Sequence, residues 1–509
     1  MKNLRKMLFP VLMVMLTFLL IFASADSSQA QALTAPWTVA VTYQNVGTQP
    51  ATVVANFYAE GSATALSFDP LSGGTIAAGA AKSFWIGNVN NVPAGFRGNA
   101  VILSDQPLTA TAVQFSQQTG FKMRLLYNGF QSTDASDQYF IATTLLNKFN
   151  RTTVFSIQNT ENEAINATVR FYDADNSGNL ASTITHQIPA NSSKFIEMND
   201  TNDTGLSAAT TVFNGSAIIT AVKLSDSSPA NVVASANEYY TNRNVAASFE
   251  GVPFSKAGNS IYMATGLCER FGLDTFYAVS NASLIDNATI TVTYRNTDGT
   301  TKAADGPYTI GPGQKRSIIT CNPNSGTDMS SFTGSAVITS TGAPIVAIGK
   351  AQNSTNAGTA NTVDVFTAFV GEPGGASTIS LSFVRWANDT EFNAVSNVGG
   401  KQRTFIAIQN LESTQISVNV NYKDKDGNTV ATQPLTIPAF AKANTDAKSA
   451  NALGLNGMTT GSFGYYTDGT FGGAVTIEAA ASNPTVNFIA IARGQNPGAG
   501  EDVNGVPTP

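Results

Sequence analysis

One set of five landmarks recurs four times along the 509-residue chain, and this repetition most constrains what the chain can fold into. Each copy starts with a β-rich run that ends in Asn, and the four Asn residues lie 114, 122 and 129 residues apart. A run that ends in Tyr, an Ile with Pro or Gly close behind it, a Gly-initiated strand and a turn proline come next. The Asn residues are Asn45, Asn159, Asn281 and Asn410, and the Tyr residues are Tyr58, Tyr172, Tyr294 and Tyr422. The remaining landmarks are Ile76, Ile188, Ile310 and Ile437, then Gly98, Gly215, Gly334 and Gly473, then Pro107, Pro229, Pro344 and Pro484.

The runs between the landmarks have the patterning of half-buried β-strands. Apolar and polar residues alternate through 167–172, 289–294 and 416–422, as one buried sheet face requires. Thr, Val, Ile and aromatic residues are enriched there, and Gly, Asn, Asp and Pro clusters supply turns every 8 to 12 residues. We therefore predict an all-β protein of antiparallel β-sandwich units, immunoglobulin-like in size. A continuous β-solenoid is the alternative, although it would repeat every 20 to 30 residues.

The landmarks divide the chain into a leader and four units. We predict a signal peptide at 1–32 and β-sandwich repeats at 33–134, 135–257, 258–376 and 377–509. Short connections between units restrict bending, so we expect an elongated, semi-rigid array. The copies are unequal, because unit 1 lacks the lead-in strand of units 2 and 3 and unit 4 is longer around 450–466.

The N-terminus has the features of an export signal. Lys2, Arg5 and Lys6 precede an apolar run from Met7 to Ala25, and small residues follow at two candidate cleavage sites. A retained membrane anchor is the alternative, because the run approaches spanning length. We expect a secreted or cell-surface protein without membrane insertion after signal cleavage.

The composition argues against nucleic-acid partners. Removal of 1–32 leaves 25 basic and 33 acidic residues, a net charge of −8, and the chain has no Lys/Arg-rich run. Nucleic acids and anionic membrane surfaces are bound through clustered positive charge. The expected partners are other copies of the chain or other cell-surface components, with glycans as a further class.

The two cysteines lie in one unit. Cys268 and Cys321 are 53 residues apart within unit 3, and an even number of cysteines in an exported domain predicts a disulfide. Closure of such a loop stabilises a fold by ~4 kcal/mol in the chain-entropy model. Two buried free thiols are the alternative.

Two aspartate-rich turns place oxygen side chains at alternate positions. Asp173 and Asp175 begin one turn, and Asp424 and Asp426 begin the other. Calcium sites use such oxygens, but an EF-type loop also needs a Glu where this chain has Ile184 and Leu435. Hairpin turns favour the same residues for backbone reasons. We interpret both segments as turns, keep calcium as the alternative, and predict no other cofactor.

No constellation of residues indicates catalysis. His186 is the one histidine and lies in a strand-like run, and no Gly-X-Ser-X-Gly segment occurs. One His and two Cys do not make a usual zinc site. We therefore predict a non-enzymatic protein without catalytic residues. Tyr465 and Tyr466, in the enlarged unit 4, are the candidate ligand-facing aromatics for a glycan, and core packing is the alternative.

The landmark combination resembles a known group of proteins. A Gln-Asn pair after a strand (Gln158-Asn159), Ile-Pro-Ala at 188–190, Gly-Ser-Ala-Val-Ile at 334–338 and Tyr-Asn-Gly-Phe at 127–130 resemble the tandem β-repeats of proteins exported by filamentous Chloroflexi-type bacteria. The resemblance covers nearly the whole mature chain and implies a cell-surface or extracellular location without a catalytic motif. Our functional hypothesis is a structural protein of a sheath, filament or surface layer. An adhesin or carbohydrate-binding protein is the alternative.

Overall fold

The structure is a computed structural model that describes residues 36–116, 123–354, 365–393, 401–496 and 499–508. The predicted signal peptide lies outside these residues. Strands dominate the described chain, and its helices are single turns. The prediction of an all-β protein built from antiparallel sandwiches is confirmed.

The strands are numbered along the chain and fall into the four predicted units. Unit 1 contains β1 (Trp37–Asn45), β2 (Val53–Ala59), β3 (Ala65–Phe68), β4 (Ala81–Trp85), β5 (Gly98–Ser104), β6 (Leu108–Ser116) and β7 (Arg124–Asn128). Unit 2 contains β8 (Gln138–Leu146), β9 (Arg151–Asn159), β10 (Ile165–Asp173), β11 (Asn179–Ile188), β12 (Ser193–Glu197), helix α1 (Thr201–Thr204), β13 (Phe213–Lys223), β14 (Val232–Tyr240), β15 (Ala246–Glu250) and β16 (Val252–Pro253).

The second half of the chain repeats this order. Unit 3 contains β17 (Ser260–Cys268), β18 (Leu273–Asn281), β19 (Ala288–Asn296), β20 (Thr301–Ile310), β21 (Lys315–Ile319), β22 (Phe332–Gly342), β23 (Ile345–Asn353) and β24 (Phe366–Val370). Unit 4 contains β25 (Thr378–Leu381), helix α2 (Asp389–Phe392), β26 (Arg403–Asn410), β27 (Ile416–Asp424), β28 (Thr429–Ile437), β29 (Lys442–Asp446), β30 (Gly473–Ala479), β31 (Phe488–Asn496), β32 (Ala499–Asn504) and β33 (Val506–Pro507). Within the described ranges, three short 3-10 helices lie at Ile86–Asn88, Ser132–Asp134 and Phe254–Lys256.

Each unit is a sandwich of two antiparallel sheets. One sheet has the same strand order in every unit, namely β4-β1-β6-β7, β12-β9-β14-β15, β21-β18-β23-β24 and β29-β26-β31-β32. The facing sheets are β3-β2-β5, β11-β10-β13-β8-β16, β17-β22-β19-β20 and β28-β27-β30-β25-β33. In unit 2, Phe155 of the first sheet and Phe171 of the second pack in one core. The period-two pattern of the sequence therefore places alternate side chains between the sheets.

The landmark Asn residues join the turns of each unit to its core. Asn159 is fully buried, and its Nδ2 donates to the carbonyl oxygens of Glu163 at 2.8 Å, Ile188 at 3.2 Å and Pro189 at 2.9 Å. Its Oδ1 accepts from the backbone N–H of Glu161 at 2.8 Å. Asn45, Asn281 and Asn410 are buried and bonded in the same pattern. The Asn and Ile landmarks occur together because the amide of one bonds the carbonyl of the other.

Three of the four Gly landmarks, Gly98, Gly215 and Gly334, are explained by close approach between paired strands. A Cβ on Gly215 would lie 2.1 Å from the carbonyl oxygen of Tyr172, the Tyr landmark on the paired strand β10. A Cβ on Gly98 would lie 2.0 Å from the carbonyl oxygen of Tyr58. Because no other residue lacks a Cβ, this approach requires glycine.

The four units are arranged in a closed ring. The last strands of the units contact one another in cyclic order, β7 with β15, β15 with β24, β24 with β32, and β32 with β7. Unit 4 also contacts unit 1 through Thr111 Oγ1, 2.8 Å from Ser382 Oγ. The predicted elongated array is therefore wrong. Short junctions do restrict bending, but each unit turns relative to the one before it in a sense that brings the fourth unit against the first, and a repeated contact that closes makes a ring.

Candidate functional site

The ring is closed by one kind of contact that is used at all four junctions. The turn after each Ile landmark, which we call the corner, packs against the preceding unit in the ring. The corner of unit 2 accepts a hydrogen bond at the Asn191 carbonyl from Asn99 Nδ2 at 3.0 Å, and that of unit 3 accepts one at the Gly313 carbonyl from Ser216 Oγ at 2.9 Å. These bonds end on backbone carbonyls, so the contact depends on the shape of the corner more than on its side chains.

The remaining two corners meet a glycine in the turn of a hairpin. A Cβ on Gly299 of unit 3 would lie 2.1 Å from the Ala439 carbonyl oxygen in unit 4. A Cβ on Gly427 of unit 4 would lie 2.3 Å from the Ala78 carbonyl oxygen in unit 1. Both glycines have positive φ, at 89°, which other residues rarely adopt. The junction between units 4 and 1, which closes the ring, thus has the same geometry as the junction between units 3 and 4.

Along the centre of the ring, the last strands are joined by polar contacts between units. Ser248 Oγ donates to the Leu126 carbonyl at 2.6 Å, which links units 2 and 1. Thr367 Oγ1 donates to Asp502 Oδ2 at 2.6 Å, which links units 3 and 4. Asn128 Nδ2 donates to the Asn504 carbonyl at 2.7 Å, which links units 1 and 4. The centre of the ring is therefore packed and bonded rather than open along these strands.

A buried ionic network joins units 2 and 3. Glu238 is fully buried, and its carboxylate contacts Lys350 Nζ at 2.6 Å and Arg151 Nη1 at 2.9 Å. Burial opposes ionisation of Glu238, but Lys350 and Arg151 together hold the pKa of Glu238 below its usual value. Burial lowers the pKa of Lys350 to about 8. Glu238 thus pairs with both cations and links unit 2 to unit 3 through Lys350.

Two lysines occupy the same position in their corners and are buried against the preceding unit. Lys315 Nζ donates to Asn214 Oδ1 at 2.6 Å, and Lys442 Nζ donates to the Gly334 carbonyl at 3.0 Å. Burial lowers the pKa of each lysine to about 7. The equivalent residues of the other corners are Ala81 and Ser193.

The depressed pKa of Lys442 predicts a pH dependence of stability. Between pH 7 and about 10.4 the unfolded chain binds more protons at this lysine than the folded protein, so stability rises with pH in this range. We expect the Lys442→Met variant to be more stable than the wild type near pH 6, and this difference to shrink towards pH 10. Thermal unfolding at several pH values measures it.

The exposed Lys448 of the same unit supplies the control for this prediction. Lys448→Met is expected to leave the melting temperature within about 1 °C of the wild type at each pH, because the side chain is solvated in both states. A Lys442→Met effect that does not change with pH would contradict the assignment.

A small cavity lies where all four units meet at one end of the central strands. Its lining includes Asn128 of unit 1, Glu250 of unit 2, Glu372 of unit 3 and Asn504 of unit 4, and its volume is about 60 Å³. Small-molecule sites usually measure ~300–1,000 Å³, so this cavity holds a few water molecules at most. Its size does not suit a sugar or a similar substrate.

The acidic groups of this cavity are hydrogen-bonded across unit boundaries. Glu250 Oε1 accepts from the Asn128 N–H at 2.6 Å, and Glu372 Oε1 accepts from Asn504 Nδ2 at 2.8 Å. Burial raises the pKa values of Glu250 and Glu372. Burial alone would lower the pKa of Lys256, but Glu372 and Asp134 hold it above its ordinary value. The hydrogen bonds and charge interactions of these side chains therefore link the units around the cavity.

The predicted disulfide is confirmed. Cys268 and Cys321 are bonded, with their Cα atoms 5.0 Å apart. Among the described residues, they form with Asp274 the one group of three Cys, His, Asp or Glu side chains close enough to share a metal ion, and the disulfide already engages both sulfurs.

Removal of the disulfide is expected to lower the stability of unit 3. The Cys268→Ser/Cys321→Ser variant should lose ~4 kcal/mol of unfolding free energy, because the loop closed in the unfolded chain is 53 residues long. Reductant should lower the melting temperature of the wild type towards that of the variant. A variant that itself responds to reductant would contradict this explanation.

The two candidate aromatics of unit 4 are buried, and the proposal that they face a ligand is wrong. Tyr465 and Tyr466 are each 6% exposed. The Tyr465 hydroxyl accepts from the Gln402 N–H at 2.8 Å, and its ring packs on Phe471 at a centroid distance of 5.8 Å. The Tyr466 hydroxyl accepts from the Lys425 N–H at 2.6 Å. The extra length of unit 4 folds back onto the unit, and this covers both rings.

The aspartates considered for calcium have turn roles in the structure. Asp173 Oδ1 accepts from the Asp175 N–H at 3.0 Å, and Asp424 Oδ1 accepts from the Asp426 N–H at 3.0 Å. Asp175 pairs with Lys148 at 2.6 Å. The hydrogen bonds of Asp173 and Asp424 lie within the two segments and are those expected of turns. His186 lies in β11 and its Nε2 is 2.9 Å from the Asp203 carbonyl oxygen, so it takes part in packing of α1.

Two large apolar residues that are exposed at hairpin tips were not identified from the sequence. Phe149 and Phe271 connect β8 to β9 and β17 to β18, and their side chains are 55% and 71% exposed. Their equivalent positions in units 2 and 3 could have identified them, because each Phe follows a Lys or Arg residue and precedes Asn or Gly. In the part of the chain that the structure describes, no helix is long and apolar enough to cross a membrane.

Comparisons with known proteins leave the family of the chain open. No protein-family model and no curated protein sequence matches it. The solved structures with some similarity include FLGD from P. aeruginosa, with 16% identity over 24% of this chain and 79% of that one, at a TM-score of 0.11. The pilus backbone RrgB from Streptococcus pneumoniae has 8% identity over 54% and 80% of the chains, at 0.11. CfaE, the adhesive subunit of the CFA/I fimbria of enterotoxigenic Escherichia coli, has 12% over 50% and 98%, at 0.09. At such TM-scores these likenesses carry no argument about function.

Proposed function

We propose that the protein is a non-catalytic, exported structural component of a cell-surface or extracellular layer, sheath or filament. The observation that carries this proposal is the ring itself, in which one contact is used four times and closes the chain on itself. In this ring each of the four described units contacts two neighbours, and we infer that the units move as a single rigid body. Such bodies suit assembly, because little conformational entropy is lost when copies associate.

The polar groups inside the ring support a structural role. Glu238 pairs with both Lys350 and Arg151, and the acids of the cavity at one end of the central strands bond to amides of neighbouring units. Perturbed pKa values often mark catalytic groups, but structural ion pairs produce them as well. Here Glu238, Glu250 and Glu372 are each bonded to a residue of a neighbouring unit, and the cavity is too small for a usual substrate.

The test is the assembly state of the purified mature chain. Sedimentation velocity and negative-stain microscopy are expected to show ordered assemblies that grow with protein concentration. Repetition of the same weak contact would give such assemblies avidity. A protein that stays a monodisperse single ring at all concentrations would contradict the structural function.

An adhesin or glycan-binding protein is the second candidate, and the exposed rings of Phe149 and Phe271 are the observation that favours it. Exposed aromatic rings can stack on sugars. Binding of a monodisperse ring to a glycan array, lost when both rings are removed, would support this function in place of the structural one.

A further inference from the structure

Unit 1 lacks a strand that the other three units share. In units 2, 3 and 4, the strand that begins near the Gly landmark pairs on one side with β10, β19 or β27. On its other side it pairs with a lead-in strand, which is β8, β17 or β25. The equivalent strand of unit 1 is β5, and within the described ranges it pairs with β2 alone. The other edge of β5 therefore faces no strand in the part of the chain that the structure describes.

The missing strand leaves the inner face of β5 uncovered. Ala100 lies on this face, because it pairs with the core residue Phe57 of β2. Ile102, two residues further along, lies on the same face. Ala100 is exposed and Ile102 is half-buried. The equivalent residues of the other units are fully buried, namely Ala217, Ile219, Ala336, Ile338, Val475 and Ile477.

The facing sheet of unit 1 is uncovered beside the same edge. Val41 of β1 and Leu108 and Ala110 of β6 are half-buried and belong to the same core as Ile102. Their equivalents in the other units are buried, namely Phe155, Val232, Ala234, Tyr277, Ile345, Ala347, Ile406, Phe488 and Ala490. We call the surface formed by Val41, Ala100, Ile102, Leu108 and Ala110 the strand groove.

A side chain replaces one backbone contact that a lead-in strand brings with it. In units 2 to 4, the equivalent of Leu108 forms an antiparallel bridge with a residue just before the lead-in strand, in the pairs Val232 with Ser136, Ile345 with Gly258 and Phe488 with Ala376. In unit 1, the Leu108 carbonyl accepts from Gln131 Nε2 at 2.8 Å. Residues 130–131 correspond to β16, which pairs with β8 in unit 2. An added strand would thus lie between β5 and residues 130–131.

The N-terminal segment of the chain does not have the sequence of a lead-in strand. Counted back from the landmark Asn residues, residues 24–32 correspond to β8 (Gln138–Leu146). They have Asp26–Ser28 where β8 has the apolar Phe140–Ala142. Signal cleavage at the end of 1–32 would also remove them. The described lead-in strands are all paired within their own units, so a second copy could supply one only by disrupting a unit.

We propose that the strand groove binds an extended segment of another protein as an added antiparallel β-strand. β5 (Gly98–Ser104) contains no Pro and no charged residue, which are the residues that commonly protect a free sheet edge. Its backbone bonds to the added segment, and the groove takes every second side chain. The lead-in strands define the chemistry of that segment. It is uncharged and has aliphatic or aromatic residues at its inward positions, as at Tyr139, Ile141, Ile261 and Met263.

This inference follows from the strand order and does not rest on the structural function. Its test is the binding of a fluorescent peptide with the sequence of residues 138–146 and a solubilising Lys tag. The chain that starts at Leu33 is expected to bind the peptide saturably in fluorescence anisotropy. Ala100→Lys should weaken binding by about tenfold or more, because it places a charge against apolar side chains of the peptide.

The matched control is Leu103→Lys, which adds the same charge to the exposed outer face of β5 and should change the affinity by less than about threefold. No binding by the wild type, or equal binding by the wild type and Ala100→Lys, would overturn the proposal. Neither result bears on the assembly of the ring into layers or filaments, which sedimentation measures separately.

A chain with the strand supplied in cis gives a second measurement. Fusion of a copy of residues 138–150 directly before Trp37 reproduces the spacing of unit 2, and it should raise the melting temperature and abolish peptide binding. Undiminished binding by the fused chain would contradict the proposal. If a chain that starts at Asp26 fails to bind while the chain from Leu33 binds, the leader itself fills the groove and the assignment to another protein is wrong. Dissociation of wild-type oligomers by the peptide would instead assign the groove to a second copy, which also overturns that assignment.

Discussion

Asn159→Ala is expected to lower the unfolding free energy by about 3 kcal/mol or more, because it removes four hydrogen bonds made by one buried side chain. The carbonyls of Glu163, Ile188 and Pro189 and the N–H of Glu161 all lose their side-chain partner. Each buried polar group that is left unpaired costs ~1–3 kcal/mol. Water that enters the space would recover part of this loss, so the sum of separate costs is an upper bound.

Chemical denaturation of the purified variant measures this effect, and the same turn supplies the control. Asn162 is exposed in the turn that follows Asn159, and Asn162→Ala should change the unfolding free energy by no more than about 0.5 kcal/mol. Asn159→Asp should be nearly as destabilising as Asn159→Ala, since a carboxylate cannot donate to the carbonyls. A stable Asn159→Asp variant would show that the donated bonds are unimportant.

Glu238→Gln is expected to cost about 3–5 kcal/mol and to weaken the contact between units 2 and 3. The substitution keeps the size of the side chain but leaves the charges of Arg151 and Lys350 buried without their counter-charge. The loss should appear as a lower melting temperature and, because the pair bridges two units, as a larger radius of gyration in X-ray scattering if the ring opens before it unfolds.

The pH dependence of stability provides a second measurement of the same group. The pKa of Glu238 is lower in the folded protein than in the unfolded chain, so its contribution is complete above about pH 4.5 and is lost as pH falls through the folded value. The Glu238→Gln variant should lack this part of the acid dependence. Glu163→Gln removes a more exposed carboxylate that pairs with Lys223 at 3.4 Å, and should cost no more than about 1 kcal/mol. Equal effects of the two substitutions would contradict the importance of burial.

The units could be predicted from the sequence because their determinants are local. The alternation of apolar and polar residues along a strand such as Ile416–Asp424 indicates which face of the strand is buried, and Gly and Asn residues indicate the turns. The disulfide was predictable for the same reason, since Cys268 and Cys321 lie in one unit of known strand order. The landmarks themselves have physical causes within one unit, such as the bond between Asn159 and the Ile188 carbonyl.

The candidate site was harder to predict because it depends on contacts between units. Tyr465 and Tyr466 are aromatic residues in an insertion, and the sequence does not show that this insertion folds back over them. Lys315 and Lys442 are typical surface residues by type, and only the preceding unit buries them. Burial between units does not change the alternation of apolar and polar residues along a single strand, so that pattern does not predict it.

The sequence by itself determined that the chain is a series of four β-sandwich units, because strand alternation, turn residues and the Asn, Gly and Pro landmarks act over a few residues. Only the tertiary structure decided that these units form a ring. The corner contacts, such as the Gly427 approach to the Ala78 carbonyl, set the rotation from one unit to the next. A rod and a ring can share the same units and linkers and differ in that rotation alone, which is fixed by corner contacts between residues 92 or more positions apart.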